Sequence, residues 1–169
     1  PLQQASSRTK LMNIAIEDPM RADIQALLQE HLRHMRAISP PESVHALDVD
    51  ALRTPQITFL TARENGELIG CGAPKALDST SGEIKSMRTA DGHLRKGVAA
   101  AILARILEIA HERGYRQLSL ETGRTAAFAP AQRLYERFGF TICPPFADYT
   151  DDPFSLYMNA EVASALTRS

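Results

Sequence analysis

The run Arg95-Lys96-Gly97-Val98-Ala99-Ala100-Ala101 sets two positive charges before a glycine and a string of alanines. It opens a helical pattern, with Val98, Ile102, Ile106 and Ile109 on one face. The first N–H groups of a helix have no partner within it, and the helix dipole favours an anion there. Gly97 has no side chain and the alanines are short, so a bulky anion can come close to the backbone. Arg95 and Lys96 add charge at the same spot. These residue types in this order describe a cradle for a pyrophosphate. The same run would also serve as an ordinary helix start packed with small residues, so the rest of the chain has to decide.

Other titratable groups are less telling. Glu83 opens one strand pattern and Glu121 closes another, and both reach the mouth of the same cleft. His31 and His34 lie three apart on one helix without a third ligand, so no metal is expected and a solvated helix face is the plainer reading. The loop Pro144–Asp152 gathers Asp148, Tyr149, Asp151 and Asp152, an acidic content that suits a cationic acceptor or simply a solvated loop. Cys71 and Cys143 sit in apolar runs and read as buried free thiols.

These residues need elements to hold them. Met12–Glu17 reads as a strand, and Ile24, Leu27, Leu28, Leu32 and Met35 space out an amphipathic helix to about Ile38. Pro40 and Pro41 stop it, and Asp48–Leu52 suggests a short second helix. Gln56–Ala62 and Glu67–Ala73 are rich in strand formers, with the hairpin signal Asn65-Gly66 between them. Strand Glu83–Thr89, helix Gly97–Arg113 and strand Gln117–Glu121 make a βαβ unit, expected to cross right-handed. A helix Ala126–Phe138 and strands Phe140–Cys143 and Ser155–Met158 follow. The fold class is α/β: a mixed, mostly antiparallel sheet of six or seven strands, one parallel βαβ unit, and helices on both faces.

A chain of 169 residues fits one domain with an ordinary core. We expect a single domain over 12–159, a leader or cloning remnant over 1–11 and a polar tail over 160–169. The net charge of -1 leaves no basic excess for nucleic acid, so any phosphate site must be local. No apolar run reaches the ~20 residues of a membrane span and no signal peptide is evident, which makes a cytoplasmic location the default. Phosphate-binding glycine motifs of other kinds, Gly-x-x-x-x-Gly-Lys-Ser/Thr and Gly-x-Gly-x-x-Gly, do not occur, which weighs against a nucleotide-binding protein.

The segment Leu94-Arg95-Lys96-Gly97-Val98-Ala99 resembles the pyrophosphate loop of the GNAT superfamily of N-acetyltransferases, Gln/Arg-x-x-Gly-x-Gly/Ala, with Leu94 in the place of Gln/Arg. Further on, Ala131-Gln-Arg-Leu134-Tyr135-Glu-Arg-Phe-Gly139-Phe140 is similar to that family's Ala-x-x-Leu-Tyr-x-x-x-Gly-Phe segment, with Phe128 where an asparagine is frequent. The two motifs stand in the family's element order over about residues 12–158. The resemblance implies a GNAT-like fold and acetyl-CoA as co-substrate. The loop Arg95–Ala100 would hold the pyrophosphate, and the stretch Met87-Arg88-Thr89 would pair along the pantetheine arm between the splayed fourth and fifth strands.

The resemblance also implies roles. Tyr135 is the candidate acid for the leaving thiolate. Glu83 is the candidate base, with Glu121 as its rival and neither as a third reading. Glu42, Ser43 and His45 follow the first helix, where the family walls its acceptor pocket. The acceptor is expected to be the amine of a small molecule, with a protein or peptide amine second and a homodimer open. A non-catalytic acetyl-CoA-binding module is the alternative, favoured by Leu94 and Phe128 and opposed by Tyr135 and Glu83.

Overall fold

The computed structural model describes residues 12–44 and 48–169. Seven strands form one sheet: β1 (Met12–Ile16), β2 (Leu60–Glu64), β3 (Glu67–Ala76), β4 (Ser81–Thr89), β5 (Gln117–Gly123), β6 (Thr141–Ile142) and β7 (Ser155–Glu161). Their order in space is β1-β2-β3-β4-β5-β7-β6. Only β4 and β5 run parallel, and the helix α2 (Val98–Glu112) joins them. The remaining helices are α1 (Ala22–Ile38), α3 (Ala129–Arg137) and α4 (Val162–Leu166).

Alternation along β3 explains how the sheet is covered on both faces. Gly70 and Gly72 turn toward α2, where a Cβ on Gly70 would lie 2.7 Å from Val98 Cγ1 and one on Gly72 2.8 Å from Ile102 Cγ2. Only glycine lets the start of α2 lie this close to the strand. Cys71 and Ala73 face the other way and pack with Ile24, Leu27 and Leu28 of α1. The larger core lies on the α2 side, where Ile102, Leu103, Ile106 and Leu107 are fully buried.

Several expectations shift at element ends. Asn65 and Gly66 have φ of 53° and 81°, the primed turn that the Asn-Gly pair predicts. The second strand starts at Leu60 rather than Gln56: the N–H of Thr58 donates to Pro74 O, but Pro74 has no N–H to return the bond, and Ile57 keeps only an isolated bridge to Lys75. Asp48 and its neighbours form a 3-10 turn over Ala51–Arg53, with the Asp48 carboxylate accepting from the Ala51 N–H. The helix expected from Ala126 begins as a 3-10 turn, and α3 starts at Ala129 with Pro130 in its first turn.

The polar tail expected over 160–169 needs correction. β7 runs on to Glu161, and Val162 and Ala165 of α4 are buried in the main core, with Leu166 packed against it. Their spacing of three and four residues is a helical apolar stripe too short to stand out. Cys71 is buried and Cys143 half-buried, and both thiols are free. No helix among the described residues is long and apolar enough to cross a membrane. Residues 1–11 and His45 lie outside the described residues.

Candidate active site

The site begins where β4 leaves β5. The parallel pairing runs from Ser81↔Gln117 to Ile84↔Leu120 and stops, while β5 stays paired with β7 as far as Gly123↔Ser155. From Lys85 to Thr89, β4 therefore has no strand on its β5 side. A bulge forces the parting. Between Cys71↔Arg88 and Ala73↔Lys85, β3 has one residue and β4 has two, Ser86 and Met87, and Ser86 takes a φ of 56°. The Cys71 thiol donates to Ser86 O at 3.3 Å, and burial pushes that thiol up to about 12, so it stays a donor.

The gap opens into a cavity of about 980 Å³. At one end lies the start of α2. Gly97 is its N-cap, with a φ of 80° and no side chain capping the helix. The first helical bond there runs from the Ala101 N–H to Gly97 O, so the N–H groups of Val98, Ala99 and Ala100 are free of intrahelical partners. A Cβ on Gly97 would meet nothing within 4 Å, so the space over it is open. Arg95, Gly97, Val98, Ala99 and Ala100 line the cavity here, and Leu94 sits at its rim. Lys96 is exposed and off this lining. An open, cationic helix start next to an unpaired strand edge fits a chain-like ligand ending in phosphates.

At the other end the titratable groups converge. Glu83 is only 2% exposed. Its Oε2 accepts from the Tyr149 hydroxyl at 2.6 Å and pairs with Lys85 Nζ at 3.3 Å. Lys85 also donates to the Tyr149 oxygen at 2.8 Å. Tyr149 is held by packing against Phe146 and Tyr157 at ring distances of 5.0 and 5.5 Å. Glu121 accepts from Ser155 Oγ at 2.9 Å. Burial pushes Glu121 up to about 7, against the opposing pull of the Ser155 hydrogen bond and the Lys85 charge. Tyr135 is 6% exposed, lies against Phe140 at 5.7 Å, and lines the cavity. Burial, and then the Glu121 charge, raise its hydroxyl well above the ordinary phenol range.

Of the acceptor-wall residues expected from the sequence, Ser43 lines the cavity and donates to Asp152 Oδ1 at 2.9 Å. Glu42 is exposed and off the lining. Met87 turns toward α2, its Sδ 2.4 Å from where a Gly72 Cβ would be, whereas Arg88 turns toward α1 and meets Glu30. Phe128 lies flat on Gly123, whose missing Cβ would sit 2.1 Å from the ring, so the aromatic residue replaces a polar one by packing on bare backbone.

A protein-family model described as the acetyltransferase (GNAT) family matches residues 23–140, the span that holds both the strand gap and the cradle. The chain belongs to the GNAT family. It is 54% identical over 151 residues, 89% of this chain and all of the relative, to an uncharacterised N-acetyltransferase of Bacillus subtilis, YsnE. It is 37% identical over 149 residues, 87% of this chain and 95% of the relative, to the IAA acetyltransferase of Azospirillum brasilense. Among solved structures it is similar to an acyl-CoA N-acyltransferase from Klebsiella pneumoniae, with a TM-score of 0.74, 26% identity, and 90% and 99% of the two chains covered. A GNAT acetyltransferase from Elizabethkingia anophelis with acetyl-CoA bound aligns with a TM-score of 0.61 at 17% identity over 89% and 97% of the chains. The chain is an acetyltransferase, acetyl-CoA is its co-substrate, and its sheet with one parallel pair is the GNAT sheet.

Lys85 is a site residue that sequence reasoning missed, and Tyr149 was singled out only as part of an acidic loop, without its contact to Glu83. Lys85 alternates with Glu83 on β4, two residues apart, and so shares its face. That signal is present in the sequence. Tyr149 reaches the site from 66 positions away, which no local pattern encodes.

Proposed function

We propose that this protein acetylates the primary amine of a small molecule by direct attack on acetyl-CoA within a ternary complex. The observation that carries this is one cavity holding, in order, an anion cradle, an unpaired strand edge and a half-buried carboxylate raised to about 7. Bound acetyl-CoA supplies an activated thioester. The cradle of Val98, Ala99 and Ala100 N–H groups with Arg95 would hold its phosphates. The free edge of β4 at Met87 and Thr89 would align its arm and offer an N–H to the developing oxyanion.

Glu121 is the better of the two carboxylates for taking a proton from the attacking amine. A group raised to about 7 is balanced to accept and release a proton near neutrality. Glu83 is committed to Tyr149 and Lys85, and its role is to fix them. Tyr135 stays protonated far above neutral pH, while an ordinary thiol ionises at about 8.5. Its hydroxyl therefore stabilises the leaving thiolate by donating a hydrogen bond rather than by surrendering its proton. The relative named as an IAA acetyltransferase supports a small-molecule acceptor.

Thiol release from acetyl-CoA across a panel of small primary amines tests the reading, with Tyr135→Phe beside the wild type. Amine-dependent release is expected, with kcat about ten- to a hundred-fold lower in the variant and the acetyl-CoA KM nearly unchanged. Release with peptide amines alone would refute the acceptor class. An unchanged kcat in the variant would remove Tyr135 from the mechanism.

A further inference from the structure

Four buried polar atoms on residues that line the cavity have no hydrogen-bond partner among the described residues: Nδ1 of His31, Oγ of Ser86, Nε of Arg88 and Nδ1 of His93. A native fold leaves few such groups, and each one asks for a ligand or water. His93 is tied through its other nitrogen to Glu67 at 3.4 Å, whereas His31, Ser86 and Arg88 line the cavity together and the Arg88 charge acts on His31. Ser86 lies in the bulge of β4 and Arg88 just after it, and His31 follows Glu30 on α1, whose carboxylate lies 3.6 Å from Arg88 Nη2.

The Arg88 guanidinium is half used. Glu30 and Asp91 both approach Nη2, at 3.6 and 3.0 Å, and leave the buried Nε–H edge unengaged. The Arg88 side chain is 11% exposed while the Asp91 side chain is 69% exposed, so this acidic partner stands on the solvent side. Burial, and then the Arg88 charge, hold His31 down to about 4, which leaves a neutral imidazole with one N–H to give at pH 7. The cofactor phosphates do not account for this edge. Their cradle is at the start of α2, and Met87 turns toward α2 while Arg88 turns toward α1.

We infer that the amine acceptor also carries a carboxylate, bound by the Nε–H of Arg88 and the Nδ1 of His31 with Ser86 Oγ as a further donor. This rests on the N-acetyltransferase reading of the site. Lys85 stands next to Ile84, the last residue of β4 level with β5, and Arg88 lies three residues on. Glu121 is likewise the next residue after the paired Leu120 and lines the same cavity as Arg88, so the acceptor is placed with its amine toward Glu121 and its carboxylate toward Arg88. A carboxylate takes a charge-assisted pair of hydrogen bonds here, which a carboxamide of the same shape cannot match. The acceptor class is therefore amino acids and related amino-carboxylic acids.

The test compares matched pairs, each an amino-carboxylic acid and its primary carboxamide, in acetyl-CoA-dependent thiol release by wild type, Arg88→Gln and His31→Asn. The acid should have a KM at least ten-fold below its amide. Both variants should raise the KM for the acid about ten-fold, and leave the KM for the amide and for acetyl-CoA unchanged. Equal use of acid and amide by the wild type, or equal loss on both in the variants, overturns the inference. His31→Asn leaves the Glu30–Arg88–Asp91 pairing in place and reads the subsite even where Arg88→Gln does not fold. Acetylation of no amine would refute the transferase reading by itself. The subsite is then judged by thermal shift of the acetyl-CoA-saturated protein with amine-free carboxylates such as propionate. Stabilisation that both variants lose supports it, and stabilisation in none or equally in all overturns it.

Discussion

Glu121 shows how one residue couples activity to stability through pH. Its ordinary value is 4.5 and burial raises it to about 7, so the folded protein binds a proton there that the unfolded chain has released. The sign follows from that difference. The contribution to stability is fully present below about 4.5 and is lost as pH rises through about 7. Glu121→Gln keeps an oxygen for the Ser155 hydroxyl and removes the ionisable group. The variant should be more stable than wild type at pH 8, by on the order of 1–3 kcal/mol, and no more stable at pH 4.5. Chemical denaturation at the two pH values measures this. Its turnover should lose the rise expected of the wild type as pH passes through about 7. A pH–rate profile that keeps this rise in the variant would move the base elsewhere. Glu83→Gln makes the contrast, since it disturbs the Tyr149 and Lys85 partners rather than removing a balanced acid.

At the scale of elements, the open helix start was legible from residue types, while the gap between β4 and β5 was expected only through the family resemblance. Gly97, the alanines and the flanking charges specify a helix start open to an anion by residue type alone, and the helix begins one residue later at Val98. The element order and the single parallel unit were equally legible, because apolar period and turn residues agree along the chain. The bulge at Ser86 and Met87 was not, since it comes from a mismatch of one residue between β3 and β4, and β4 carries no proline or glycine between Lys85 and Arg88 to mark it. Gly97→Ala separates the cradle from the helix it caps. Alanine at a φ of 80° costs roughly 1–2 kcal/mol, yet its methyl would meet nothing in the protein within 4 Å. The methyl would instead occupy the space over the free N–H groups. Titration should show acetyl-CoA binding weakened about ten-fold or more, beyond what the modest loss of stability accounts for. Full affinity in a folded alanine variant would place the phosphates elsewhere.

Across the whole molecule, the acceptor side of the cavity is assembled from distant stretches of chain. Ser43, just after α1, is tied to Asp152 in the loop before β7, and Tyr149 in that loop is tied to Glu83 on β4. Contacts 109 and 66 positions apart leave no trace in local spacing. For that reason the candidate wall of Glu42, Ser43 and His45 could be located only roughly from the sequence, and the partners of Glu83 could not be named. The loop is more than a cover, because its hydroxyl compensates a carboxylate that is almost fully buried. Tyr149→Phe keeps the ring packing with Phe146 and Tyr157 and deletes only that hydroxyl. Glu83 then keeps Lys85 and loses its shortest partner. Leaving a buried charged acceptor short of a donor costs about 1–3 kcal/mol, which for a domain of this size lowers the melting temperature by several degrees. Lys85, which donates to the same oxygen, loses a partner in the same step, and the loop loses its hydroxyl link to β4. The KM for the amine should therefore rise several-fold while the KM for acetyl-CoA holds, because the cradle lies at the other end of the cavity. Thermal melting and two-substrate kinetics on the one variant read both effects. A variant with lowered stability and an unchanged amine KM would make the Tyr149–Glu83–Lys85 cluster a support of the fold alone.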